Sequence, residues 1–192
     1  MNDINIVKDK GITKRKDNPE SASKDNLNTK MNFANDKVFP VDTLQEIIDE
    51  KKKAGKKVVF TNGCFDILHV GHARYLAAAR AKGDLLVLGL NSDGSVRKLK
   101  GAKRPLVPEE ERAELLSYLE MIDYIVIFEE TTAKNLISRL EPDIYVKGGD
   151  YKVDELPEAA VVQKYGGKIE LIPVVEGAST TNIVEKILER YN

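Results

Sequence analysis

The chain has 192 residues, 42% of them hydrophobic and 32% charged, with 30 basic against 31 acidic side chains. That composition suits a soluble domain with a sizeable core plus an extension, or two small domains. It lacks the basic excess that sequence-independent nucleic-acid binding draws on, and no apolar run reaches the ~18–20 residues of a membrane span, so neither nucleic acid nor membrane is an expected partner.

Residues 1–36 are rich in Lys, Asp, Asn and Ser and poor in large apolar side chains. They read as a disordered extension, with the folded domain over 37–192. Their mixed charges do not make a basic recruitment arm. They contain no apolar stretch of a secretory signal, so the expected location is the cytoplasm.

From residue 41 the pattern becomes regular. VDTLQEIIDEKKKAG carries Leu44, Ile47 and Ile48 at helical spacing and ends at Gly55. KKVVFTNG reads as a buried strand. GHARYLAAARAKG follows as a helix and DLLVLGLNSD as a second strand. RKLKGAKRP reads as a basic, mobile loop between Gly101 and Pro105. PEEERAELLSYLE opens with Pro108 and acidic residues, as helix starts do. IDYIVIF is a third strand, and TTAKNLISRLE a helix opened by a Thr cap and closed before Pro142. DIYVKGG is a fourth strand, DELPEAAVVQKYGG a partly helical stretch, KIELIPV a fifth strand and STTNIVEKILERY the terminal helix.

Strands thus alternate with helices, and their apolar runs are continuous, as in strands buried on both faces. The expected fold is α/β, a Rossmann-like doubly wound parallel sheet of about five strands with helices on both faces. Ligands in such sheets sit beyond the carboxyl ends of the strands, at the switch point.

The strongest constellation is TNGCFDILHVGH, residues 61–72, directly after the first strand. Both histidines of the chain, His69 and His72, are there. A helix starting near His69 puts the two rings on one face of its first turn, at the positive end where free N–H groups attract phosphate. Gly63 serves the turn, and Gly71 leaves the rings unobstructed. A zinc site with Asp66 as third ligand is the alternative, but the i, i+4 spacing and Glu of metalloproteases are missing. Cys64, the single cysteine, excludes an intrachain disulfide and a cysteine-based zinc finger; it has no neighbouring base and reads as packing. The first turn lacks G-x-G-x-x-G, which argues against a dinucleotide-dependent oxidoreductase.

TNGCFDILHVGHARYL resembles the first signature of the cytidylyltransferase-like nucleotidyltransferases, the HxGH superfamily. Over residues 41–192 the likeness narrows: LNSDGSVRKLKGAKRPLVPEEERAELL, VKGGDY and EGASTTNIVEKI resemble the adenylyltransferases that convert D-glycero-β-D-manno-heptose 1-phosphate to ADP-heptose for lipopolysaccharide cores or surface glycans. The resemblance implies catalysis by His69, His72 and Lys100. It implies a nucleotide site of Thr61, Asn62, Gly63, Cys64 and Phe65 through their backbone, with Asn91, Arg112, Gly148, Asp150, Ser179, Thr180 and Thr181. Gly148 and Gly149 would let base or sugar approach, and one of Ser179, Thr180 and Thr181 would cap the terminal helix. Asp66, Asp93 and Lys147 are sugar-phosphate candidates. Asp66 also reads as a helix cap or as a partner fixing a histidine tautomer, and Asn91 and Asp93 as an Asx turn. ATP is the implied substrate and Mg²⁺ its expected companion, with no metal motif visible. Related domains are often homodimers, and in some the domain is fused to a sugar kinase; here a separate kinase is expected.

A sugar 1-phosphate is already anionic, so it needs no general base to attack the α-phosphorus. The enzyme must align the reactants and neutralise charge. His69 and His72 are expected to donate hydrogen bonds, each worth ~10²–10³ in rate, without a covalent nucleotidyl-histidine. Lys100 leads a basic set with Arg97, Lys98, Lys103 and Arg104. One rival is cytidylyl transfer to glycerol 3-phosphate or another alcohol phosphate, whose motif typically reads RTEGIST where this chain has VVEGAST; Val174 and Val175 replace Arg-Thr. A rival of another class is a catalytically silent nucleotide-binding regulatory module.

Overall fold

The computed structural model describes residues 35–149, 152–173, 177 and 179–191. The disorder expected over residues 1–36 falls almost wholly outside the described residues. A short 3-10 turn, Asn35–Lys37, leads into the domain.

The strands are β1 (Val58–Gly63), β2 (Leu85–Asn91), β3 (Tyr124–Phe128), β4 (Ile144–Gly148) and β5 (Lys168–Ile172). They form one sheet in the order β3-β2-β1-β4-β5, with every pairing parallel. Val58 lies opposite Leu85, and Val59 opposite Ile144. The chain moves outward from β1 to β3 and then returns to lay β4 on the other side of β1. The switch point is therefore at β1 and β4.

Seven α-helices accompany them among the described residues: α1 (Val41–Lys53), α2 (Val70–Arg80), α3 (Asp93–Lys100), α4 (Glu109–Ser117), α5 (Lys134–Leu140), α6 (Ala159–Lys164) and α7 (Thr180–Tyr191). The continuous apolar runs divide by residue parity. Val58 and Phe60 join Leu44 and Ile48 of α1, Ile137 of α5 and Val162 of α6 in one core. Val59 joins Leu76 and Ala79 of α2 and Leu116 of α4 in the other. Burial on both faces stabilises each strand twice, at ~1.5–3 kcal/mol for each large apolar side chain. The doubly wound sheet with helices on both faces is what the sequence implies.

Three local readings change. The basic stretch after β2 is not loop throughout: Asp93–Lys100 is helical, with Ser92 Oγ accepting from Ser95 N–H as its cap. The loop shrinks to the residues after Gly101. Second, no Thr caps α5; its N-cap residue is Ala133, whose N–H donates to Glu158 Oε1 at 3.0 Å. Third, α2 starts at Val70, with His69 as an extended N-cap residue whose side chain makes no capping bond.

At the amino ends of the strands, carboxylates satisfy the neighbouring backbone. Asp84 accepts from Lys57 N–H, Asp123 from Leu86 N–H and Asp143 from Val58 N–H, at 2.7–2.8 Å. No helix among the described residues is long and apolar enough to cross a membrane.

Candidate active site

Beyond the carboxyl ends of β1, β2 and β4 lie two adjoining cavities, about 290 and 670 Å³. They share Asn62, Gly63, Cys64, Phe65, His72, Lys147, Gly148 and Thr180. The smaller adds His69, Gly71, Tyr75 and Ser179. The larger adds Asn91, Lys100, Arg104, Thr131, Thr132, Glu158 and Thr181, among others.

The histidine turn is built as a stack. Gly63 carries no side chain where a Cβ would meet the Phe65 ring at 2.9 Å. That ring folds back because Phe65 adopts φ 45°, a conformation costly for a bulky residue. It lies 5.1 Å from the His72 ring, which stacks on His69 at 3.9 Å between centroids. The Nδ1 atoms of both histidines are buried and have no hydrogen-bond partner. Burial, reinforced by His69, pushes the His72 pKa down to about 4; burial also lowers that of His69. Both imidazoles are therefore neutral at pH 7, suited to hydrogen bonding and not to carrying charge.

Positive character comes from elsewhere. The amino end of α2 opens on the smaller cavity and that of α7 on both. Ser179 Oγ accepts from Asn182 N–H at 3.0 Å, which makes Ser179 the cap of α7. Thr180 donates to the Ile67 carbonyl at 3.5 Å and ties α7 to the histidine turn. Lys147 Nζ donates to Asn62 Oδ1 at 3.3 Å, an atom that also accepts from Tyr145 at 3.0 Å. Burial lowers the Lys147 pKa. Lys100 reaches the larger cavity from the last residue of α3, whereas Lys98 lines a separate hollow beside β3. Cys64 faces both cavities, its thiol pKa raised by burial.

Several expected ligand residues hold the frame, Asp66 and Asn91 while also lining the larger cavity. Arg112 does not reach the cavities: it is 0% exposed. Its guanidinium donates to the carbonyls of Val107, Cys64 and Asn91 and pairs with Asp93 Oδ1 at 2.7 Å. Asp93 is thereby engaged beneath the site, and its N–H meets Glu109. Asp66 neither caps a helix nor touches a histidine. Its Oδ1 accepts from Leu106 N–H and Val107 N–H, and its Oδ2 pairs with Arg104 Nε at 2.6 Å, which pins the loop after α3. It is thus unsuited to act as a third zinc ligand, and no cluster of three His, Cys, Asp or Glu able to hold a metal occurs among the described residues. Asn91 donates to Ser95 Oγ at 2.9 Å, and Ser92, not Asn91 or Asp93, makes the local turn bond. Thr61 is fully buried, its Oγ1 2.5 Å from the Tyr75 hydroxyl. Asp150, Val174 and Val175 lie outside the described residues.

A family profile described as Cytidylyltransferase-like matches residues 60–186. The chain belongs to the cytidylyltransferase-like family. Within it, the chain is 59% identical over 155 residues to "Bifunctional protein HldE" of Geobacter sulfurreducens, covering 81% of this chain and 32% of that protein. The protein of the same name from Campylobacter concisus is 51% identical over 156 residues, with the same coverages. The chain spans about a third of the length of these relatives. Among solved structures, a lipopolysaccharide core biosynthesis protein from Thermoplasma volcanium is 30% identical with a TM-score of 0.54, covering 65% of this chain and 100% of that one.

Two side chains of this family member escape sequence reasoning. Tyr75 supports the smaller cavity: its hydroxyl donates to the Val146 carbonyl at 3.1 Å, and its ring occupies the space that a Cβ at Gly148 would enter, at 2.9 Å. The glycine therefore admits a tyrosine from beneath. Glu158, 2% exposed, lines the larger cavity while capping α5. Helical spacing from His72 and Ala79 hints at Tyr75; nothing local marks Glu158.

Proposed function

We propose that this chain transfers AMP from ATP to D-glycero-β-D-manno-heptose 1-phosphate, giving ADP-heptose and pyrophosphate for lipopolysaccharide core or surface glycan synthesis in the cytoplasm. The observation that carries the reading is the neutral pair His69–His72 at the start of α2, facing a cavity where Lys147, Lys100 and the start of α7 converge. Family membership supports nucleotidyl transfer, and the motifs VKGGDY and GASTTNI support the sugar.

An oxygen of the sugar phosphate attacks the α-phosphorus of ATP. The new P–O bond forms as the bond to the β-phosphate oxygen breaks, and pyrophosphate departs with that electron pair. The histidines donate N–H bonds to the phosphate oxygens, where charge grows. Lys100 and Lys147 offset the charge of the leaving group, and the pinned loop after α3 keeps Lys100 at the rim. Mg²⁺ would accompany ATP and would supply neutralisation of the triphosphate charge. A sugar kinase must supply the acceptor.

The test is pyrophosphate release with ATP or CTP across a panel of phosphorylated sugars and alcohols. ATP with the β-heptose 1-phosphate is the expected pair, and His72→Ala should lose ~10²–10³ in kcat. Release with CTP and glycerol 3-phosphate alone would overturn the sugar reading and leave the histidine argument standing.

A further inference from the structure

Glu158 occupies a position that packing alone does not explain. It is 2% exposed and precedes α6. Oε1 accepts the Ala133 N–H at 3.0 Å, whereas Oε2 is buried with no hydrogen-bond partner. No cation lies within ion-pair distance among the described residues. A buried carboxylate oxygen left without a donor is costly, and natural proteins rarely keep one without cause. Glu158 lines the larger cavity, in the part that the histidine-centred cavity does not share.

We propose that Glu158 reads the hydroxyl groups of the acceptor, its free carboxylate oxygen accepting hydrogen bonds from the sugar ring while Thr131 and Thr132 flank it. This rests on the adenylyl-transfer reading above and adds the residue that selects a polyhydroxylated acceptor. The same carboxylate holds the start of α5 through Ala133, directly after the two threonines, so one side chain both contacts the ligand and fixes its neighbours. Among the described residues, no aromatic ring lines the unshared part of the cavity, so none of them offers there a platform on which a base stacks. Hydroxyl donors and a carboxylate acceptor match a sugar better than a nucleobase. Lys147 feels the Glu158 charge, which opposes the effect of burial on that lysine, so phosphate and hydroxyl recognition meet at this point.

The experiment compares wild type with Glu158→Gln, which keeps an oxygen for the Ala133 N–H and replaces the free acceptor by an amide NH₂. The KM for heptose 1-phosphate should rise about tenfold, because a charge-assisted bond is lost, with kcat and the KM for ATP within about twofold. A second arm uses wild type alone against monodeoxy heptose 1-phosphates. At least one should lose about tenfold in kcat/KM, and Glu158→Gln should no longer distinguish it from the parent sugar. An unchanged acceptor KM together with equal use of the deoxy sugars overturns the inference. A rise confined to the KM for ATP also overturns it and assigns Glu158 to the nucleotide or to Lys147. Wild type that releases no pyrophosphate from ATP with any sugar 1-phosphate sinks the adenylyl-transfer reading first, and this inference with it.

Discussion

The two ends of the sheet treat polar atoms in opposite ways. At the amino ends, Asp84, Asp123 and Asp143 each take the N–H of an adjacent strand or its approach, and Tyr165 is the exception there, its hydroxyl buried without a partner. At the carboxyl ends, His69 Nδ1, His72 Nδ1 and Glu158 Oε2 are buried and unpaired around the cavities. Beneath them Arg112 and Asp66 tie the same rim together with seven hydrogen bonds or ion pairs between them. Paired carboxylates make one end a joint, whereas the other holds unpaired groups on a firmly paired base. Unpaired groups reduce stability, and a site that binds charged substrates keeps them because the substrate supplies the partners.

The sharpest way to break this comparison is to remove the base. Arg112→Met leaves the Asp93 carboxylate and three carbonyls without their donor. The expected cost is ~3–5 kcal/mol, read by urea unfolding, with transfer activity falling along with the fold. A cost below ~1 kcal/mol would mean that the rim does not depend on Arg112. Asp123→Ala, at the other end, should have a smaller and purely structural effect. It removes the acceptor of the buried Leu86 N–H and the partner of Arg80, whose Nε lies 3.0 Å away. The expected loss is ~1–3 kcal/mol with both KM values unchanged. A shift in either KM would show that the two ends are coupled.

The same contrast explains what the sequence reveals. The cores are legible because burial on both faces writes itself as contiguous Val, Ile, Leu and Phe, as in Val58–Phe60 and Leu85–Leu88. The histidine pair is legible because its geometry is local, four residues at one helix start. Helix α3 escapes because DGSVRKLK has Gly94 and four basic or acidic residues around a single fully buried apolar side chain, Val96. Arg112 looks like a ligand residue from its motif, but its burial depends on carbonyls from three separate segments. Asp66 is similar: its partners lie 38 to 41 positions away, across α2, β2 and α3. Glu158 escapes in the same way, since its role as a cap is fixed by Ala133, 25 positions earlier. Functional groups on this rim are thus hardest to read where their supports lie outside their own segment.

The smallest expected effect tests the unpaired state itself. His72 titrates near 6.5 in the unfolded chain and near about 4 when folded, its charged form disfavoured by burial and by His69. Between those values the unfolded chain binds the proton and the folded chain does not. Stability from this group is therefore intact above about pH 6.5 and declines as pH falls toward 4. Carboxylates titrate in the lower half of that window, so the useful quantity is the difference in Tm between wild type and His72→Asn. That difference should change in the direction unfavourable to wild type as pH drops from 6.5 to 4. Saturating ATP should weaken the trend, because phosphate oxygens beside the imidazole favour its protonated form and raise its folded pKa. A difference that stays flat with pH, with or without ATP, would place His72 in contact with solvent and remove the distinction between the two ends of the sheet at its most testable residue.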